Sequence, residues 1–187
     1  MNDRQKKILD AAIAVFSRYG LRKATMGDIA EQAGISRQTL YARYSNKEEI
    51  ISAAMELIAE QVCREVKEGW GPARSIGERL DIFLDAAVVQ FFDQVRQMPD
   101  ASDLLIGNSD GAKGAHMAAE QGKIDLLTCL FEPFGEALAA KGSSPEALAE
   151  FFYASAASYK FIARDADHLH SLLATLKQNT LIMLGEG

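Results

Sequence analysis

The chain has 187 residues, 48% of them apolar, with 20 Lys/Arg set against 26 Asp/Glu for a net charge of −6. That is enough chain to bury a sizeable core. It holds no run of about eighteen apolar residues that would cross a membrane, and Arg4, Lys6 and Lys7 lead into an amphipathic pattern rather than a secretory leader. The charge is uneven: residues 1–50 hold nine Lys/Arg against six Asp/Glu, and residues 51–187 hold eleven against twenty. A local positive surface on an acidic whole is compatible with phosphate contact, which depends on local rather than net charge.

Strand alternation is nearly absent and helical spacing runs throughout, so the predicted fold class is all-α. Ile8, Leu9, Ala12, Ile13, Phe16 and Tyr19 form the first stripe, which Gly20 can end. Thr25 offers an N-cap with Asp28 three residues on, in the manner of a capping box. Ile29, Ala30 and Ala33 give a short second helix, with Gly34 suited to its C-terminal turn. Ser36 caps a third helix, 37–43, and Ser45 or Asn46 a fourth, from 47 to 68. A fifth covers roughly 76–98. Residues 100–114, punctuated by three glycines, are expected as a short helix and loose loop. Long helices follow over 115–140, 145–163 and from Asp165 or Asp167 to about 184. About nine helices in all are expected, as a three-helix head, residues 1–46, on a helical bundle, residues 47–187.

Thr25 to Lys47 carries the functional signal. Two short helices joined through Gly34-Ile35-Ser36 have helix-turn-helix spacing. At about 100° per residue, Arg37, Gln38 and Tyr41 share one face of the third helix. Arg pairs in two-point fashion with guanine and Gln with adenine, and both sit in the first turn. Thr25, Ser36, Thr39, Tyr41 and Tyr44 offer hydroxyls for phosphate, and Lys47 sits at a helix start that favours an anion.

These residues resemble the TetR family of bacterial regulators. The resemblance runs through Lys7-Ile8-Leu9-Asp10-Ala11-Ala12, Phe16, Tyr19-Gly20, Thr25-Met26-Gly27-Asp28-Ile29-Ala30, Ala33-Gly34-Ile35-Ser36, Thr39-Leu40-Tyr41, Tyr44 and Lys47-Glu48, about a quarter of the chain. It implies an all-helical homodimer with a DNA-binding head, a ligand pocket in the body, and repression relieved by a small molecule. Carried over by position, it implies Arg37, Gln38 and Arg43 as base readers and Thr25, Ser36, Thr39, Tyr41, Tyr44 and Lys47 as phosphate contacts. Ala42-Arg43-Tyr44 departs from the His-Tyr-Phe of many members, which leaves Arg43 between a base and a phosphate contact.

As in that family, the last two helices are expected to form the dimer face. Leu169, Leu172, Leu173, Leu176, Leu181, Ile182 and Leu184 form a stripe broader than one core contact needs, and two-fold symmetry implies a near-palindromic operator of double-stranded DNA. Pocket candidates are Phe83, Phe91, His116, Met117, Phe131, Phe134, Tyr153 and Tyr159, around an effector of unspecified chemistry. Neither a cofactor nor a metal is expected. His116 and Glu120 lack further ligands, and Asp165 and Asp167 read as a helix start. Cys63 and Cys129 match no metal spacing and read as small buried residues of a cytoplasmic protein. The competing readings are a helical scaffold, or a small enzyme using the pocket around His116, without DNA recognition.

Overall fold

The computed structural model of the chain describes residues 2–96 and 110–186, with side chains for 2–93 and 120–186. Every element among these residues is helical. The chain divides into two compact units, Met1–Glu60 with Asp93–Ala119, and Gln61–Phe92 with Glu120–Gly187.

The first unit is built on α1 (Asp3–Lys23), α2 (Met26–Ala33), α3 (Arg37–Tyr41) and the opening turns of α4 (Lys47–Trp70). Gly20 breaks α1 with φ 79° and ψ 161°, a backbone that a side chain would resist. Thr25 and Asp28 close the expected box: Asp28 N–H donates to Thr25 Oγ1 at 3.2 Å, and Thr25 N–H donates to Asp28 Oδ2 at 2.9 Å. At the other end of α2, Gly34 takes φ 66° and ψ 39°. Ile35 N–H then reaches back to the Ala30 carbonyl, which satisfies an orphan acceptor of the last turn. Ser36 caps α3 by accepting from Thr39 N–H. Asn46 caps α4 by accepting from Glu49 N–H at 2.8 Å, and Glu49 answers by accepting from Ser45 N–H. Ile8, Leu9, Ala12, Phe16, Ile29, Ala33, Leu40, Tyr44 and Ile50 meet in one buried cluster. The two short helices, α2 and α3, are stable here because that cluster buries a face of each; isolated helices of five or eight residues would not persist.

The second unit takes the rest of α4, α5 (Ile76–Leu84), α6 (Gln90–Arg96), α7 (Asp110–Phe131), α8 (Gly135–Ala139), α9 (Pro145–Ile162) and α10 (Ala166–Leu184), of which α6 and α7 also run into the first. Its core centres on Phe152, whose ring lies 6.2 Å from both Phe83 and Phe131. Lys177 pairs with Asp81 at 2.6 Å, and Lys141 covers the last carbonyls of α10 at Ile182 and Met183.

Several elements differ from expectation. The fifth helix contains a π-helical turn, Asp85–Val89, between α5 and α6. The long helix begins at Asp110, so Gly111 and Gly114 are helical, and it ends at Phe131. Pro133 there has no N–H to continue the ladder, and Glu132–Phe134 tightens into a 3-10 turn before α8. The expectation over 100–109 lies outside the described residues. Cys63 is half-buried and Cys129 exposed, so the pair is not buried as expected. Most of the broad leucine stripe of α10 faces inward, with Leu169, Leu173, Leu176 and Leu184 in the chain's own core.

Candidate DNA-reading head and effector cluster

Arg37 and Gln38 are both exposed on the opening turn of α3. Leu40, on the opposite face, is fully buried and fixes the rotation of the helix. Tyr41 continues the outer face and is 52% exposed, which is uncommon for so large a ring without a partner. The Arg37 guanidinium folds back over the first turn of α2: a Cβ on Gly27 would sit 2.7 Å from its Nη2. Hydrogen bonds from Thr25, and then the charge of Arg37, hold the Asp28 carboxyl below its ordinary range.

The other residues of the expected set are more engaged. The hydroxyls of Thr25, Ser36 and Thr39 take part in capping: Thr25 Oγ1 donates to Asp28 at 2.7 Å, and Ser36 and Thr39 share a hydrogen bond at 2.9 Å. The Tyr44 ring is buried in the head core at 8% exposure, and burial raises its phenol above the ordinary value. Arg43 is exposed, donates through Nε to the Gln5 side-chain carbonyl at 3.2 Å, and lies 5.9 Å from the centre of the Tyr44 ring. Lys47 reaches the end of α1, where its ammonium donates to the carbonyls of Leu21 at 2.7 Å and Ala24 at 3.1 Å. Sequence spacing alone did not show that tie, because the two partners lie 26 and 23 residues away.

In the second unit, Phe83 and Phe131 are fully buried against Phe152, and Tyr153 is buried beside them. Phe91, Phe134 and Tyr159 are half-buried. His116 and Met117 have side chains outside the described residues. Sequence reasoning missed Lys123 and Lys160. Lys123 Nζ lies 3.5 Å from Tyr153 Oη, and Lys160 Nζ lies 4.6 Å from the centre of the Phe91 ring. Burial lowers both ammonium groups, Lys160 to about 8, and it pushes the Tyr153 phenol and Cys63 thiol up. The signal was present: Lys160 lies four residues after Ala156 and seven after Tyr153, on the buried face of α9. Asp165 and the histidines after it form no metal set; Asp165 caps α10, and His168 Nδ1 accepts from the Arg164 N–H.

An outward-facing polar helix start, set across a capped helix by a glycine turn, is the helix-turn-helix arrangement, a geometry suited to entering a groove of duplex nucleic acid. Residues 8–54 match the model of the family described as bacterial regulatory proteins, tetR family. Among curated relatives, the uncharacterised regulator YvdT of Bacillus subtilis is 35% identical over 80 residues, 43% of this chain and 41% of that protein. The nicotine-responsive repressor HdnoR of Paenarthrobacter nicotinovorans is 32% identical over 85 residues, 43% of this chain and 44% of that protein. The chain thus matches less than half the length of these relatives. Solved structures extend the likeness of fold to the whole chain. The fatty acid degradation regulator FadR of Bacillus halodurans aligns with a TM-score of 0.71 at 18% identity, covering 96% of this chain and 97% of that one. A Rhodococcus transcriptional regulator aligns at 0.72 and 14%, covering 95% and 96%.

Proposed function

We propose that this chain is a sequence-specific DNA-binding transcriptional regulator, a repressor released by a small-molecule effector. Residues 1–46 read DNA, and residues 47–187 bind the effector and join two copies. The observation that carries this reading is the exposure of Arg37 and Gln38 on the first turn of α3 while Leu40 anchors the helix from behind. Arg37 reads guanine after swinging off Gly27, a rotation of an exposed side chain, and Gln38 reads adenine. Tyr41 and Arg43 contact phosphate from the same side. Thr25, Ser36, Thr39, Tyr44 and Lys47 act chiefly by holding helix ends and α3 in position, and their hydroxyl or amine edges meet the backbone as DNA closes on the head.

The homodimer forms through α9 and α10. Phe151, Ala154, Ser158, Phe161 and Ile162 make an exposed, mostly apolar stripe along α9, which supports that interface. Two heads related by two-fold symmetry read a near-palindromic operator with half-sites about 34–36 Å apart or a multiple of it. The names of relatives such as HdnoR support repression as the mode. The effector shifts the balance between head spacings by binding one of them better.

Selection of bound genomic fragments at two salt concentrations tests the reading. An enriched, inverted-repeat sequence is expected, with affinity falling steeply as salt rises. Fragments without any shared sequence would remove the proposal in favour of a scaffold.

A further inference from the structure

We propose that the body binds an organic anion, an acid group held between Lys123 and Lys160 with its apolar remainder against the aromatic residues of the same unit. The proposal rests on reading the second unit as effector-binding, and it names the chemistry of that effector.

Lysine is among the residues least often drawn into a core, yet two half-buried ones, on α7 and α9, lie within electrostatic reach of each other. Lys123 follows the inward spacing of Leu126, Leu127 and Leu130, and Lys160 that of Tyr153 and Ala156, so both lie on core-facing stripes. Among the described residues, no carboxylate lies within ion-pair distance of either ammonium. Glu120 is near enough to favour both charged forms, but it supplies one negative charge against two positive. The Cys63 thiol and the Tyr153 phenol are held neutral by burial.

What the protein offers instead is modest. The hydrogen bond from Lys123 to Tyr153 Oη is long at 3.5 Å. The Phe91 ring, 4.6 Å from Lys160 Nζ, offers a cation–π contact and no counter-charge. Burial, and then the charge of Lys123, hold the Lys160 ammonium down at about 8. The charge of Lys123 adds to burial in disfavouring the Lys160 ammonium, and a bound anion offsets both costs. Phe91 lies two residues past the π-helical turn, an irregularity that re-phases the helix and is frequent at functional sites. Tyr153 Oη adds a third donor, and the rings of Tyr153, 5.7 Å from Lys123 Nζ, and of Phe91 offer apolar surface to the tail.

The test uses the purified full-length chain with decanoate and 4-phenylbutyrate, each against its methyl ester, near neutral pH. Calorimetry and thermal unfolding are expected to show the acids binding about tenfold or more tightly than the esters. Lys123→Met together with Lys160→Met is expected to abolish that preference. Equal binding of acid and ester, no acid selectivity in either pair, or a preference that survives the double substitution each overturn the proposal. Should the double variant not fold, the acid–ester comparison on the unaltered chain decides alone. Release from operator DNA is measured separately. Acids that bind selectively without releasing DNA keep the anion site and remove the effector reading of the previous section.

Discussion

The ammonium of Lys47 stands among the carbonyls that end α1, 2.7 Å from that of Leu21 and 3.1 Å from that of Ala24. These are charge-assisted bonds to acceptors that the helix end leaves without partners. Replacing Lys47 by Met therefore removes more than a phosphate contact. We expect a loss of about 1–3 kcal/mol in stability, read by denaturant unfolding, along with weaker DNA binding. Tyr41→Ala separates the two effects: its ring is exposed, so unfolding should be unchanged while affinity falls alike for all sequences. Gln38→Ala should instead relax preference at one half-site position by about 1–3 kcal/mol, read by competitive binding to single-base variants. An unaltered preference profile would falsify the assignment of that face. Lys160 makes a prediction in pH. Its folded value near 8 lies below the ordinary 10.5 of a lysine, so the unfolded chain holds more protons between these values. The cost of the buried charge is fully present below about 8, and stability from this group rises as pH climbs through that window. Anion binding runs the other way: it is strongest below about 8 and weakens above, as Lys160 loses its proton. The groups facing Lys160 are Lys123 and Glu120 from α7, and Glu120 tempers the slope without reversing it. Titration of decanoate affinity against pH checks this, and flat affinity across the window contradicts it.

At the level of elements, what could be read in the sequence was what is local. Thr25 with Asp28, Gly34, Ser36 and Asn46 mark helix ends through partners within about four residues, and each sits as its chemistry demands. Thr25→Ala should cost about 1 kcal/mol and lower the unfolding temperature by about 2–4 °C, with Thr25→Ser restoring most of it. The exposure of Arg37 and Gln38 was legible for the same reason, since one buried leucine fixes the phase of a short helix. Pro133 was visible as a breaker, but the apolar run around it matched a helix so well that the period masked the break. The π-helical turn left no comparable sign, because a single extra residue in a helix changes phase without changing composition. The roles of Lys47, Lys123 and Lys160 depend on partners 23 to 69 residues distant, and a lysine read alone suggests a solvated face. Position was the usable clue: a lysine on the inward stripe of an amphipathic helix conflicts with its own preference, and such conflicts gather at functional sites.

For the whole molecule, the proposed reading sets the more basic head against DNA and leaves the acidic remainder off it. A net charge of −6 disfavours non-specific adhesion to the duplex, so affinity depends on few phosphate contacts made twice over. In the proposed dimer the doubling comes from α9. Phe151 and Ile162 are each 60% exposed and Phe161 53%, with Ala154 and Ser158 between them, and a soluble monomer rarely leaves such a stripe open. Small residues in the middle let a second helix approach closely, and the flanking rings fill the space at each end. Phe151→Glu with Phe161→Glu places two carboxylates where the partner stripe would lie, at positions already open to water in the single chain. The fold should therefore persist, with an unchanged unfolding temperature extrapolated to low protein concentration. Sedimentation should show a monomer where the unaltered chain is a dimer. Operator affinity should collapse toward that of one half-site, and the slope of log K against log salt should fall to about half, because the number of phosphates neutralised per binding event halves. A dimer that survives the double substitution assigns the interface elsewhere. A monomer that keeps the full salt slope removes the two-headed reading of the operator.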